Sequence, residues 1–183
     1  MKLAIISDIH DNLANLERFL EVFDGEGIIC CGDVTTPETL EYLVERFVEP
    51  IKLVCGNMEI RQEEFIEVTK RHKNLEIFRE IGEWRIEGSQ KSRLALDLAF
   101  VHKPDRVEEL AQTGKYQFVF YGHTHKPWIS TVPEDSPSGA VQGLSSGTTT
   151  IIANPGTLGG VFTYSTFAIL NTDTGQLELK KLY

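Results

Sequence analysis

Residues 2–23 read KLAIISDIHDNLANLERFLEVF and join two different hydrophobic patterns. The first six residues form a short apolar run typical of a buried strand, and Asp8 and His10 follow that run at once. Apolar residues then recur at helical spacing, and Asp11 or Asn12 stands where a helix cap is expected. The segment therefore predicts a strand, a polar turn and an amphipathic helix.

The same alternation continues as far as His72. Gly27 to Cys31 and Ile51 to Cys55 are short apolar runs that predict two more strands. Thr36-Pro37-Glu38 supplies a cap, a proline suited to the first helical position and an acidic residue in the first turn of a second helix. A more polar helix is predicted from about Arg61 to His72. Because each strand is followed by a helix, this βαβαβα order predicts a parallel sheet.

The second half of the chain is predicted to be mostly β-structure. One helix is expected near Asp105 to Thr113, and Thr172-Asp173-Thr174-Gly175 is typical of a hairpin turn. Residues 133–147 are rich in Pro, Ser and Gly and predict a mobile surface loop. Since no linker or repeat divides the chain, one domain is expected over residues 1–183, with two sheets packed between helices. The expected strands are Glu83 to Gly88, Leu94 to His102, Phe118 to Tyr121, Trp128 to Val132, Thr149 to Ala153, Thr166 to Leu170 and Gln176 to Leu182.

Composition excludes several classes of protein. The chain has 183 residues, 41% of them hydrophobic, and no apolar run approaches the roughly 18–20 residues that cross a bilayer. The short hydrophobic run from Met1 to Ser7 is followed at once by polar residues, whereas a secretory signal has a longer apolar stretch. A cytoplasmic location is therefore expected. Three cysteines cannot all pair, and Cys30 and Cys31 are adjacent on a predicted strand, which argues against a disulfide framework.

Charge limits the partners further. The chain has 18 Lys and Arg against 27 Asp and Glu, a formal net charge of -9. An extended nucleic acid needs a basic stripe that displaces counterions, so such a partner is not expected. Only a local cationic site could attract a phosphate group to this acidic protein.

Polar residues able to bind metal follow five of the predicted strands. Ligands of open α/β sheets gather at the carboxyl ends of strands, and glycines before three of these residues allow the sharp turns that would aim them into one crevice. Carboxylate, amide and imidazole ligands suit Mn, Fe, Co, Ni or Zn, and the absence of cysteine from the set argues against a structural zinc site. The residues are Asp8, His10, Asp33, Asn57, His102, His123 and His125.

The order of these residues, D-x-H, G-D, G-N, H and G-H-x-H, resembles the calcineurin-like metallophosphoesterase superfamily. A short chain that closes with Asn154-Pro155-Gly156 is similar, over essentially its full length, to the small prokaryotic phosphodiesterases of the YfcE-like group. The resemblance implies a four-layer αββα sandwich, in which two mixed β-sheets are flanked by helices. It also implies two divalent metal ions, with manganese favoured and iron, nickel, cobalt or zinc as alternatives.

Carried over by motif position, the resemblance assigns Asp8, His10, Asp33 and His125 to one metal. Asp33 would bridge to a second metal, whose other ligands would be Asn57, His102 and His123. The catalytic set is expected to be Asp33, Asn57, His102 and His123.

Charge explains why such a set suits phosphate esters. Two divalent ions carry four positive charges, and Asp8 and Asp33 return only two negative ones, so the pocket stays cationic. Metals about 3.5–4 Å apart can hold one hydroxide for in-line attack on phosphorus and can neutralise the leaving oxygen. The expected function is hydrolysis of a small phosphate ester by a dinuclear phosphoesterase, in particular a phosphodiesterase.

Three positions depart from the family pattern. Met58 stands where many relatives have a histidine near the leaving oxygen, so turnover should be slow unless Glu59 or a water supplies the proton. His102 is followed by Lys103 where a glycine is common. After Asn154-Pro155-Gly156 no basic residue occurs before Lys180, so a phosphate clamp is not expected there.

Alternatives remain open for the whole chain and for single residues. The superfamily includes a retromer subunit that keeps the fold with a decayed metal site, so a weakly active or non-catalytic metal-binding scaffold is the rival function, and a homo-oligomer is left open. Trp128 is expected to pack against its neighbours, with substrate stacking as the alternative. Asn12 could approach the substrate, and Lys103 and Lys126 could steer anions.

Overall fold

The computed structural model describes residues 1–88, 95–132 and 149–183. The expected loop at 133–147 lies outside the described residues. Within these ranges the helices are α1 (Leu13–Val22), α2 (Pro37–Arg46), α3 (Gln62–Arg71) and α4 (Val107–Gln112), with a 3₁₀ turn at Pro104–Arg106. The strands are β1 (Lys2–Ile6), β2 (Gly27–Cys30), β3 (Ile51–Val54), β4 (Leu75–Phe78), β5 (Ile81–Ile86), β6 (Leu96–Val101), β7 (Phe118–Tyr121), β8 (Trp128–Val132), β9 (Thr150–Asn154), β10 (Thr166–Asn171) and β11 (Gln176–Lys181). Among the described helices, none has the length and apolar character needed to span a bilayer.

The first sheet has the strand order β11-β10-β1-β2-β3-β4. Strands β1 to β4 run parallel, as the alternation of strands and helices predicts, and β10 and β11 extend the sheet antiparallel. Strand β4 was not expected from the sequence. Three of its four residues are apolar, but the run is short and only Leu75 is buried, so the pairing with β3 is what defines the strand.

The second sheet has the order β5-β6-β7-β9-β8. Its inner strands β6, β7 and β9 are parallel, and the edge strands β5 and β8 are antiparallel to their neighbours. Strands β7 and β8 have the bounds expected from the sequence, and the others differ by one to two residues at one or both ends.

The two sheets pack face to face through one apolar core. Ile5 and Ile29 of the first sheet share this core with Phe100 and Phe120 of the second. A separate cluster lies between the outer face of the first sheet and helices α1 to α3, and a third lies under α4 on the outer face of the second sheet. Alternate residues of the strands thus face either the core between the sheets or a core under the helices. This arrangement confirms the predicted four-layer αββα sandwich.

Side-chain caps start the first two helices. Asn12 accepts a hydrogen bond from the backbone N–H of Asn15 at 3.1 Å, so Asn12 rather than Asp11 is the cap of α1. Asp11 instead accepts hydrogen bonds from the hydroxyls of Thr36 and Thr39, at 2.7 and 2.6 Å. The turn after β1 is therefore tied to the start of α2.

Candidate metal centre

The first ligand group joins the turn after β1 to the turn after β7. Nε2 of His125 lies 3.1 Å from Oδ1 of Asp8 and 3.2 Å from Nε2 of His10. The same Oδ1 atom lies 3.7 Å from Nε2 of His10. Three potential ligand atoms thus converge on one point, as a divalent cation requires.

The second group joins the turns after β2, β3, β6 and β7, and so spans both sheets. Nε2 of His102 is its centre, at 3.0 Å from Oδ1 of Asn57, 3.4 Å from Oδ2 of Asp33 and 3.2 Å from Nδ1 of His123. His102 is buried, whereas Asn57 and His123 face solvent, so the group is open to a substrate on that side.

All seven residues expected from the sequence therefore lie in two adjoining groups. Asp33 is within electrostatic reach of His10 of the first group as well as in contact with His102 of the second. The structure also contains a third group able to hold a cation, formed by Glu41, Glu45 and His72 on the helical face. Arg71 already forms an ion pair with Glu41 at 2.5 Å, which makes that group a surface ion-pair cluster.

The backbone at the candidate ligands is strained. Asp8, His10, Asp33, His123 and His125 all have positive φ, between 48° and 66°. Non-glycine residues rarely adopt this left-handed conformation, which costs of order 1–3 kcal/mol at each position. Five of the seven candidate residues share it, and such strain is typical of functional sites held in place by the surrounding fold.

Glycine is required at two of these turns because neighbouring segments of the backbone pass very close to them. A Cβ atom on Gly122 would lie 2.8 Å from Oδ2 of Asp8 and 2.9 Å from the carbonyl oxygen of Cys31, and would overlap the Ser7 hydroxyl. A Cβ atom on Gly56 would lie 2.7 Å from the backbone nitrogen of Asp33 and would overlap its carboxylate. Gly122 thus allows the turns of the two sheets to approach each other, and Gly56 allows two neighbouring turns of the first sheet to do so.

An unpartnered oxygen indicates that the first group fits a cation. Asp8 is fully buried, and its Oδ2 accepts hydrogen bonds from the Ser7 hydroxyl and, at 3.0 Å, from the backbone N–H of His123. Its Oδ1 has no hydrogen-bond donor and faces the two imidazoles instead. Because a buried anionic oxygen without a partner is costly, the site is chemically complete only with a positive charge there.

The tautomer of His102 fits the second group in the same way. Its Nδ1 lies 2.8 Å from the carbonyl oxygen of Cys31, which can only accept, so Nδ1 carries the proton. In the neutral ring Nε2 then has a lone pair that points at the oxygens of Asn57 and Asp33. Backbone acceptors of this kind commonly orient metal-binding histidines.

The same crowding of acceptors shifts proton affinities in the metal-free protein. Contact with the Asp8 carboxylate raises the pKa of His10. Burial lowers the pKa of His102, but the neighbouring Asp33 carboxylate outweighs burial and raises it overall. Burial likewise raises the pKa of Asp33, but contacts from His102 and the Met58 N–H reverse this and lower it. Protons here occupy positions that a cation would take.

Glu59 has a role that the sequence did not reveal. Its side chain is buried, and its carboxylate accepts hydrogen bonds from the backbone N–H groups of Asp33, Val34, Thr35 and Gly56, at 2.5 to 3.2 Å. The carboxylate thus holds the turn after β2 against the turn after β3. With its oxygens engaged inside the protein, Glu59 is unable to replace the proton donor missing at Met58.

Asn12 and Trp128 are both engaged within the protein. The amide of Asn12 donates to the carbonyl oxygen of Gly159 at 2.9 Å while its oxygen caps α1, so it serves the fold. The indole of Trp128 stacks edge-on against Tyr121, with ring centroids 6.2 Å apart, and donates its N–H to the Tyr121 hydroxyl. Trp128 therefore packs partly against its own sheet and is 41% exposed.

A cavity of about 400 Å³ adjoins the second group. Asn57 and His102 line this cavity together with Arg79 and Lys103. Neither of these two cations forms an ion pair within the described residues, although Glu80 and Asp105 also line the cavity. Lys103 thus lines the same cavity as Asn57 and His102.

Comparison with protein families identifies this arrangement. The family model of the calcineurin-like phosphoesterase superfamily domain matches residues 1–175. The chain belongs to this superfamily. Membership confirms the family expected from the sequence, and with it the class of enzyme, a metal-dependent hydrolase of phosphoric esters.

Individual proteins are similar to this chain over nearly its whole length. Phosphodiesterase MJ0936 of Methanocaldococcus jannaschii is 28% identical over 181 residues, which is 94% of each chain. A solved structure of a novel archaeal phosphodiesterase covers both chains completely, with a TM-score of 0.80 at 24% identity. The Zn²⁺ complex of Vps29 from Entamoeba histolytica has the same fold at 15% identity, with a TM-score of 0.60 and coverage of 99% and 98%.

Proposed function

We propose that this superfamily member is a dinuclear metal-dependent phosphodiesterase that acts on a small phosphate ester, and that residues 1–183 form one catalytic domain. The observation that carries the proposal is the pair of adjoining acceptor clusters, one around Oδ1 of Asp8 and one around Nε2 of His102. Each cluster brings together three side chains that can each offer a ligand atom, and Asp33 stands within electrostatic reach of both clusters.

The residues divide between two cations in this proposal. Asp8, His10 and His125 would hold the first, Asn57, His102 and His123 the second, and Asp33 would contribute to both. Mn²⁺ is the favoured ion, and Fe, Ni, Co or Zn would suit the same donors. When bound, two such ions supply Lewis acidity and a water of lowered pKa beside the phosphorus atom.

The protein itself holds these side chains in position. The carbonyl oxygen of Cys31 fixes the ring of His102, and Glu59 fixes the turns that carry Asp33 and Asn57. Because only Asp8 and Asp33 bring negative charge to the set, the loaded pocket keeps a net positive charge that favours a phosphate ester.

Leaving-group chemistry narrows the substrate. Met58 has no exchangeable proton, and the Glu59 carboxylate is occupied by backbone N–H groups, so the chain offers no acid at these positions. Esters whose leaving group departs without protonation should therefore react fastest. The names of the archaeal relatives support a diester rather than a monoester.

A non-catalytic metal-binding scaffold is the second candidate. The absence of an acid at Met58 favours it, as does the presence of Vps29 among the structures that share this fold. Both candidates bind metal, but only the phosphodiesterase turns over a substrate. A direct assay of hydrolysis therefore separates them.

The test is hydrolysis of bis(p-nitrophenyl) phosphate by protein loaded with Mn²⁺ or Ni²⁺, with bound metal measured on the same samples. Asp33→Ala should reduce both the rate and the metal content. His72→Ala, which removes a residue from the surface cluster with Glu41, should change neither. Bound metal together with a rate no higher than that of Asp33→Ala would favour the scaffold.

A further inference from the structure

The loop from Thr157 to Ser165 carries an exposed phenylalanine beside the candidate metal centre. Phe162 is 97% exposed. Its ring lies nearly parallel to the imidazole of His125, with an interplanar angle of 25° and centroids 6.3 Å apart. The fold therefore leaves both faces of a large apolar ring largely in water, next to a residue of the first ligand group.

The backbone of Phe162 is strained in the same way as the ligand turns. Its φ is 64°, a conformation that bulky residues avoid. Within the described ranges, the other non-glycine residues with positive φ lie in the turns that carry the candidate ligands. They are Asp8, His10, Asp11, Asp33, Thr35, His123 and His125. Strain of this kind persists where the surroundings hold a residue in place.

One end of the loop is fixed to the turn that carries Asp8, and the other end is fixed to helix α1. Backbone N–H groups of Leu158 and Gly159 donate to the carbonyl oxygens of Ser7 and Asp8, at 2.8 and 2.9 Å. At the other end, the amide of Asn15 donates to the Ser165 hydroxyl at 2.8 Å. Phe162 is thus exposed at the tip of a loop whose base is anchored beside the first ligand group.

Nearby aromatic rings are already engaged. The ammonium group of Lys181 lies 4.5 Å from the ring centroid of Tyr164, and Trp128 packs edge-on against Tyr121. Among the described residues, Phe162 has a ring contact with His125 alone. Phe162 is the most exposed of these rings, at 97% against 72% for Tyr164 and 41% for Trp128.

We propose that Phe162 is a stacking platform that binds an aromatic substituent of the phosphate ester while the phosphate lies at the metal centre. The inference rests on the proposed function and adds a substrate class to it, namely esters that carry an aryl ring or a nucleobase. Aromatic rings stack on an exposed ring with a gain in affinity of about three- to tenfold. Phe162 would select substrates and take no part in the chemistry.

Binding measurements test the platform without turnover. Calorimetry on metal-loaded protein compares phenylphosphonate with methylphosphonate, which differ only in the substituent. Wild type should bind the phenyl compound about three- to tenfold more tightly. Phe162→Ala should abolish the difference, and Phe162→Trp should keep it. Tyr164→Ala, a matched change in the same loop, should also keep it.

Two outcomes would overturn the platform. Wild type could bind both phosphonates equally, or Phe162→Ala could keep the preference for the phenyl compound. A further pair, uridine 5′-monophosphate and ribose 5-phosphate, distinguishes the two kinds of ring. If Phe162→Ala removes a preference for the nucleotide, the ring is a nucleobase, and a preference confined to phenylphosphonate indicates an aryl group.

Kinetics separates this inference from the proposed function. The substrates are p-nitrophenyl phenyl phosphate and p-nitrophenyl methyl phosphate, which share a leaving group. Because the methyl ester carries only the shared p-nitrophenyl ring, Phe162→Ala should raise KM more for the phenyl ester than for the methyl ester and leave kcat unchanged for both. If metal-loaded wild type hydrolyses neither ester, the proposed function fails, while the calorimetric comparison still decides the platform.

Discussion

Oδ2 of Asp33 lies 3.4 Å from Nε2 of His102, although the two residues follow strands of different sheets. Asp33 comes after β2 in the first sheet, and His102 comes after β6 in the second. The packing of one sheet on the other therefore sets this distance. Removal of the His102 side chain should therefore reduce metal binding at the second group more than at the first.

His102→Ala tests that expectation. The variant should lose one of two bound metals, because the second group loses its central nitrogen while Asp8, His10 and His125 are untouched. Metal content by mass spectrometry, with His72→Ala as the control, measures the stoichiometry. Loss of both metals, or of neither, would contradict two separate ligand groups.

Glu59→Gln should weaken both the fold and the site. The amide nitrogen cannot accept the backbone hydrogen bonds that one carboxylate oxygen now accepts, so the free energy of unfolding should fall by about 1–3 kcal/mol. Metal affinity should fall about 10- to 100-fold because the turn carrying Asp33 loosens. Denaturant unfolding and calorimetric metal titration measure the two effects.

Glu21→Gln is the control for this change, since Glu21 is an exposed acid on α1. It should alter neither stability nor metal affinity. If Glu59→Gln behaved like the control, the carboxylate would not hold the two turns together.

Met58→His should restore a proton donor beside Asn57. Activity on an alkyl phosphodiester should rise at least about tenfold, and activity on an aryl diester should rise much less because a phenolate leaves without protonation. Initial rates on both substrates give the ratio, with Met58→Leu as a control that should change neither. Equal gains on both substrates would show that the histidine acts in some other way.

The three cysteines should be unreactive in the folded protein. Burial raises the pKa of Cys30 and Cys31 well above the usual range, and burial raises the pKa of Cys55 to about 11. Because the thiolate is the reacting form, each thiol stays protonated and inert at pH 8. A chromogenic disulfide reagent should detect no fast-reacting thiol before denaturation and three after it.

Raising the pH should expose the difference among these cysteines. Cys55 is 8% exposed, whereas Cys30 and Cys31 are fully buried. As the pH approaches 11, the Cys55 thiolate forms first, so it should react before the other two. Mass spectrometry of the labelled protein identifies the site, and earlier labelling of Cys30 or Cys31 would contradict the burial described above.

Local sequence was sufficient to predict most elements and the candidate ligands. The run that ends at Asp8 and His10, like the other strand ends, combines a strong hydrophobic period with polar residues at its end. The carboxyl ends of parallel strands meet at one edge of a sheet, so the order of such residues along the chain already implies that they converge.

Tertiary structure decided what depends on distant partners. Strand β4 has only four residues, three of them apolar, and it is defined as a strand by its pairing with β3. Glu59 could have been an exposed acid, but four backbone N–H groups from two turns take up its carboxylate. Phe162 could have been a core residue, yet anchors from Asn15 and the Asp8 turn leave it in solvent. Hydrophobic periodicity is a local property, whereas hydrogen-bond satisfaction and exposure depend on residues far away in the chain.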